Sequence, residues 1–219
     1  MNTDLKMTKD GSHTLYRKDL DEHYHSIRGA RQESMHVYIN PGLKEISKEV
    51  IRIFEVGFGT GLNTILSLIE AEKMNKSLVY DSIEKYPLPT DIINQLNYPD
   101  LLPAEYREVF YKIHTGKWGE VSDFGNMELT KIHADIRDYT FTGSYDIIYF
   151  DAFGPEKQPE LWTADILEKI YHATEPGGLF ITYSVKGEVR RLLQGLGFRV
   201  ERLKGPPGKK EILRAVKNL

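Results

Sequence analysis

The chain contains no cysteine, so disulfide scaffolds, thiolate zinc sites, Fe–S clusters and cysteine nucleophiles are excluded at the outset. No stretch approaches the ~20 apolar residues that a spanning helix requires. The opening Met1-Asn2-Thr3-Asp4-Leu5-Lys6 carries no apolar signal core. These absences together predict a cytoplasmic protein. Net charge is also scarce, at −3 over 219 residues, which argues against a generic nucleic-acid binder. With 40% hydrophobic and 28% charged residues, the composition is that of a globular chain and not of a disordered one. The small total conceals a gradient: residues 186–219 hold ten Lys or Arg against three Glu, while residues 1–50 balance eight against eight. A +7 terminus is either solvated surface or a basic ridge that meets phosphates. The length fits one domain, ~150 residues being usual, with a small appendage.

From residue 51 onward, apolar runs of strand length alternate with helical patterns. Ile51-Arg52-Ile53-Phe54-Glu55-Val56 is β-branched and ends in glycines, after which Leu62, Ile65, Leu66 and Ile69 follow helical spacing. Further strands are predicted at 78–84, 128–134, 145–150, 179–183, 198–203 and 212–216, with helices at 90–96, 159–174 and 188–196. Residues 97–127, rich in Pro, Gly and aromatics, receive no element and read as an insertion. Strands separated by helices imply a parallel sheet covered on both faces. The last two strands are joined by seven residues, Lys204 to Lys210, too few for a helical crossover, so they are antiparallel neighbours. The fold class expected is therefore α/β, with a seven-stranded, mostly parallel sheet ending in an antiparallel hairpin. This arrangement resembles the Rossmann-like class I S-adenosylmethionine-dependent methyltransferases.

The loop Glu55-Val56-Gly57-Phe58-Gly59-Thr60-Gly61-Leu62-Asn63 has Leu62 where a dinucleotide fingerprint requires its last glycine. No Gly-Lys-Ser or Gly-Lys-Thr follows, which excludes a phosphate loop. Alternating Gly57, Gly59 and Gly61 let the backbone approach a ligand without a Cβ in the way, although a plain strand-to-helix turn needs glycines too. Glu84 ends the next strand at the carboxyl edge of the sheet, where open α/β folds bind ligands, and a carboxylate there accepts both ribose hydroxyls. Asp135, after the third strand, suits an adenine amine, and Ile136 beside it can pack on the ring. Three edge acids above one glycine loop point to S-adenosylmethionine. At the fourth strand end, Tyr145 to Phe150 run into Asp151-Ala152-Phe153-Gly154-Pro155. An amine nucleophile must present its lone pair in line with the methyl; a carboxylate holds its N–H groups and an aromatic ring holds the attached base. Asp151 and Phe153 are the candidates for these roles.

Asp151-Ala152-Phe153-Gly154-Pro155-Glu156-Lys157-Gln158-Pro159-Glu160-Leu161-Trp162 resembles the signature of the MnmC-like tRNA methyltransferases, which convert 5-aminomethyl-2-thiouridine at the wobble position to 5-methylaminomethyl-2-thiouridine. Asp10 to Leu15, Tyr24 to Ala30, Glu33 to Val37, Phe54 to Asn63, Glu84 to Leu88 and Gly208 to Glu211 match the same family, so the resemblance spans about residues 10–216. It implies a substrate-side lid over residues 1–50 and a methyltransferase domain over 51–219. It implies S-adenosylmethionine against Glu55, Gly57, Gly59, Gly61, Asn63, Glu84, Lys85, Asp135, Ile136 and Asp151. The acceptor is expected against Tyr24, His25, Ser26, Pro155 and Trp162, and the tRNA backbone against Lys186, Arg190, Arg191, Lys204, Lys209 and Lys210. Trp162 can stack on a splayed base, worth ~1–3 kcal/mol, or serve the core as a helix-start Trp often does. Gln158 stands where Asn is expected, and Pro206-Pro207 stiffens the last turn.

Some members of the family carry a flavin oxidoreductase after this domain. This chain ends at Leu219, so it is expected to methylate an aminomethyl group that a separate enzyme supplies. Four of seven histidines lie within residues 13–36, but only His23-x-His25 approaches a ligand spacing, and no metal is expected. A methyltransferase or aminopropyl transferase acting on a small amine would use the same loop and acids, and a non-enzymatic cofactor-binding module is a third reading.

Overall fold

The computed structural model describes residues 3–219. The amino-terminal strands β1 (Thr3–Met7), β2 (His13–Arg17) and β3 (Glu22–His23) form a small antiparallel sheet. Helix α1 (Ala30–Ser34) then runs directly into a π-turn over Met35–Ile39, closed by the Asn40 N–H on the Met35 carbonyl five residues back at 2.9 Å. The chain continues through β4 (Val50–Val56), α2 (Leu62–Lys73), β5 (Ser77–Glu84), α3 (Thr90–Ile93), α4 (Tyr98–Leu101), α5 (Arg107–Thr115), β6 (Val121–Asp123) and β7 (Met127–His133). It closes with β8 (Tyr145–Phe150), α6 (Ala164–Ala173), β9 (Thr174–Thr182), α7 (Gly187–Leu196), β10 (Phe198–Lys204) and β11 (Glu211–Lys217). No helix among the described residues is long and apolar enough to cross a membrane.

The main sheet has the order β10-β11-β9-β8-β4-β5-β7-β6, with the five central strands β9, β8, β4, β5 and β7 parallel. The terminal hairpin is antiparallel, Phe198 pairing Lys217 through Lys204 pairing Glu211, as its short connection requires. The sheet has eight strands and not the expected seven, because β6 adds an antiparallel edge to β7 inside the stretch 97–127. That stretch also contains α4 and α5, and α5 is held by the fully buried Phe110 and Ile113. Pro99 and Pro103 interrupt the helical spacing there and hide it from a pattern reading.

Alternation along β4 explains the two layers. Ile51 and Ile53 point to the face covered by α2 and α5, whereas Phe54 and Val56 point to the face covered by α6 and α7. Leu15, Ala30, Val37, Tyr38, Ile39 and Leu43, none more than 2% exposed, belong to the α2-side core. Residues 3–50 are thus packed into the same body as the sheet. From β4 the chain winds outward one way through β5 and β7 and the other way through β8 and β9, so the sheet has its switch point between β4 and β8. Open α/β sheets bind ligands at the carboxyl ends of such strands.

Candidate active site

At the carboxyl ends of β4, β5, β7 and β8 lies an open cleft, about 960 Å³ of empty space with the solvent at its mouth included. Its floor is the loop after β4. Gly57 adopts φ +96°, and a Cβ there would sit 2.8 Å from the Asp151 carbonyl oxygen, so glycine lets the loops after β4 and β8 touch. The Asp151 N–H donates to the Val56 carbonyl at 2.9 Å across that junction. Gly59 lies beneath the Tyr24 ring, and its N–H donates to Glu84 at 3.1 Å. Glu84 also accepts the Tyr86 N–H at 2.8 Å, so its carboxylate braces both rims of the cleft while lining it. Asp135 and Ile136 line the far end. The Asp135 carboxylate is paired with Arg137 at 2.6 Å and Lys85 at 2.8 Å, and Arg137 above all holds its pKa well below the usual carboxylate range.

Asp151 occupies the middle of the cleft. Tyr38 donates its hydroxyl to one carboxylate oxygen at 2.6 Å, and Asn63 donates its amide to the other at 2.8 Å. Withdrawal from water pushes the Asp151 pKa well above its ordinary value, and the Tyr38 and Asn63 hydrogen bonds pull in the opposite direction. Burial and the adjoining carboxylate raise the Tyr38 pKa far above that of a free phenol, so Tyr38 stays a donor. The π-turn makes this contact, because Tyr38 lies within it; such turns recur at functional sites. Phe153 faces Tyr24 edge-on, with ring centroids 5.2 Å apart, and Arg17 lies over the Phe153 ring. Gln158 accepts the Phe153 N–H at 3.1 Å, so the residue standing where Asn was expected fixes the backbone of this loop. His25 is buried and lines the cleft; desolvation depresses its pKa to about 4, which keeps it neutral, and its Nδ1 has no hydrogen-bond partner among the described residues.

Of the residues singled out in the sequence, Gly57, Gly59, Asn63, Glu84, Lys85, Asp135, Ile136, Asp151, Phe153, Tyr24 and His25 line this one cleft. Others do not. Glu55 is fully buried beneath the loop, where Ser82 at 2.7 Å and Thr64 at 3.2 Å donate to it, because odd positions of β4 face α2. Gly61 lies against His114 as the residue preceding α2 and stands outside the lining. Trp162 is 5% exposed, edge-on to Phe150 at 4.7 Å, and its indole N–H donates to the Phe153 carbonyl at 2.8 Å. It holds the loop from inside the core and offers no stacking surface to a base. Ser26 and Pro155 also lie off the lining; the Ser26 N–H is bonded to Glu33 at 2.6 Å. Lys186 is paired with Glu156, Lys209 is paired with Glu33 at 2.6 Å, and Lys210 is exposed. Sequence reasoning missed Tyr38, Tyr183 and Arg17, none of which stands in a motif with a local backbone demand. Among the described residues no group of three His, Asp or Glu side chains is placed to hold a metal ion.

A family model described as an S-adenosyl-L-methionine-dependent methyltransferase matches residues 105–218. The crystal structure of MNMC2 from Aquifex aeolicus superimposes with a TM-score of 0.81 at 30% identity, covering 98% of this chain and 70% of that one. The chain belongs to the MnmC family of S-adenosyl-L-methionine-dependent methyltransferases. Curated relatives of this methyltransferase are named tRNA 5-methylaminomethyl-2-thiouridine biosynthesis bifunctional protein MnmC. The Pseudomonas fluorescens (strain Pf0-1) protein is 36% identical over 74% of this chain and 26% of its own length. The Azoarcus sp. (strain BH72) protein is 31% identical over 96% of this chain and 35% of its own length. The methyltransferase therefore spans about a third or less of these two relatives. Its cleft fits the cofactor: the Gly57 junction leaves no Cβ above the floor, Glu84 and Ile136 line one side, and Asn63 Oδ1 is buried with no hydrogen-bond partner among the described residues.

Proposed function

We propose that this methyltransferase transfers a methyl group to the exocyclic amine of 5-aminomethyl-(2-thio)uridine at the tRNA wobble position, giving the 5-methylaminomethyl form. The observation that carries the reading is Asp151, held by Tyr38 and Asn63 in the cleft beside the Tyr24–Phe153 aromatic corner. Glu84 would take the ribose hydroxyls of S-adenosylmethionine, Ile136 the adenine face, and Gly57 with Gly59 the backbone approach. When bound, the cofactor supplies an electrophilic methyl group. An alkyl amine with a pKa of ~10.4 is mostly protonated near neutral pH. Asp151, whose pKa is raised by burial, is a stronger base than an ordinary carboxylate, so it can take up the proton and then hold the remaining N–H groups while the lone pair faces the methyl. Tyr24 and Phe153 would hold the uracil ring, and neutral His25 would offer Nδ1 to its polar edge. Lys210, Arg190 and Arg191 would approach the phosphates, whereas Lys186 must first leave Glu156. The relatives' printed names supply the acceptor; the chemistry of the cleft agrees with an amine.

The test is methylation of tRNA carrying 5-aminomethyl-2-thiouridine, read by mass spectrometry of the wobble nucleoside, with free small amines as competing acceptors. Gain of one methyl on the nucleoside, lost by about 10²–10⁴-fold in Asp151→Ala while cofactor affinity holds within a few-fold, is the expected outcome. Methylation of the small amines in preference to tRNA would replace this reading with the small-amine one.

A further inference from the structure

We propose that Lys209 is a positioning residue, whose ion pair with Glu33 locks the β10–β11 hairpin tip onto the amino-terminal segment and sets both cleft walls flanking Asp151. Glu33 lies on α1 and is only 7% exposed. One of its carboxylate oxygens accepts the Ser26 N–H at 2.6 Å, and the other accepts Lys209 Nζ at 2.6 Å. Through Ser26 the pair fixes the wall that carries Tyr24 and His25.

The same ammonium lies 4.1 Å from the centroid of the Tyr183 ring, a cation–π contact. Tyr183 in turn donates its hydroxyl to the Ala152 carbonyl at 3.0 Å, one residue past Asp151. One charge thus bears on both sides of the cleft. The surrounding tip is built to hold it. The His36 Nε2 sits 2.7 Å from the Lys204 carbonyl, the Gly205 N–H closes the turn onto the Lys210 carbonyl at 3.0 Å, and Gly208 turns the chain at φ +93° beside Arg28.

Lys210 is exposed, whereas Lys209 is held between Glu33 and the Tyr183 ring. Lys209 neutralises a carboxylate that burial has removed from water, and deleting one partner of such a pair leaves the other uncompensated. The walls would then relax, with the amine misplaced relative to Asp151. Small misplacements of reacting groups reduce rate without weakening cofactor binding.

The inference rests on the proposed acceptor only for its rate measurement. Lys209→Met, Glu33→Gln, the double variant and Lys209→Arg are compared with the parent by single-turnover methylation of aminomethyluridine tRNA and by calorimetry with S-adenosylmethionine. Amide exchange at Ser26 is followed by NMR. Lys209→Met and Glu33→Gln should each lower the saturating rate by about 10–100-fold with cofactor affinity within about threefold, the double variant should lose no more than either, and Lys209→Arg should recover most of the rate. Ser26 amide protection should fall in Lys209→Met and return in Lys209→Arg. A Lys209→Met enzyme with an unchanged saturating rate but weaker, less salt-sensitive tRNA binding would make Lys209 a phosphate contact and overturn the proposal. If the parent does not methylate the tRNA, the proposed acceptor fails, and Ser26 exchange then decides the latch alone: unchanged protection in Lys209→Met refutes it.

Discussion

Replacing Tyr38 by Phe leaves the ring in its core position and removes one oxygen, whose short contact is to Asp151 at 2.6 Å and whose longer one is to the Phe150 carbonyl at 3.4 Å. Burial drives the Asp151 pKa up; Tyr38 at 2.6 Å and Asn63 at 2.8 Å hold it down. A hydrogen bond to a charged group contributes ~1.5–3 kcal/mol, and one pKa unit corresponds to ~1.36 kcal/mol. Without the Tyr38 hydroxyl, the Asp151 pKa should climb by about one to two further units. Asp151 acts as a carboxylate, so the acid limb of the single-turnover rate should move to higher pH by that amount. Below the limb the variant should lose about tenfold in rate per unit of displacement, and on the high-pH plateau it should return to within a few-fold of the parent. Titration of the acceptor amine is common to both proteins and cancels in the comparison. The measurement is rapid-quench methyl transfer at saturating cofactor across the pH range. An acid limb that stays in place, or a loss that is equal at every pH, would refute the claim that Tyr38 acts by stabilising the charged form of Asp151.

Two further outcomes follow from the geometry. Glu84→Ala should weaken S-adenosylmethionine binding by about ten- to a hundredfold, since one or two charge-assisted hydrogen bonds of ~1.5–3 kcal/mol are lost; unchanged affinity by calorimetry would remove Glu84 from the cofactor. Glu55 has its pKa raised by burial to about 7 from 4.5, so the folded protein holds a proton that the unfolded chain releases. Stability should therefore fall as pH climbs from about 4.5 to about 7, by an amount on the order of 3 kcal/mol. Glu55→Gln keeps an acceptor for Ser82 and Thr64, so it should flatten that dependence and raise the denaturation midpoint at pH 8; a lower midpoint at pH 8 would count against a destabilising buried charge.

What was legible in the sequence is what the local backbone dictates. The glycine loop, Glu84, Asp135 and Asp151 all stand at strand ends, and the period-2 runs that locate the strands locate these residues with them. Glu55 was misplaced because a carboxylate next to a glycine loop reads as a ligand group, while the pleat turns it under α2. Trp162 could be read either way until the Phe150 ring was seen against it. Tyr38 lies 113 positions from Asp151, and Lys209 lies 176 from Glu33; no pattern of one chain reports pairings of that range. The edge strand β6 is three residues long, too short for alternation to register.

The π-turn over Met35–Ile39 holds one residue more than a regular helical turn would. Loss of a single codon in this stretch would let the backbone settle into an ordinary α-helical turn, the flanking residues keeping their register while those inside the turn, Tyr38 among them, are re-aimed. Tyr38 would then face away from Asp151. Such a protein would lose the phenol that donates to Asp151, so the extra residue of this turn is what ties the amino-terminal segment to the reacting centre.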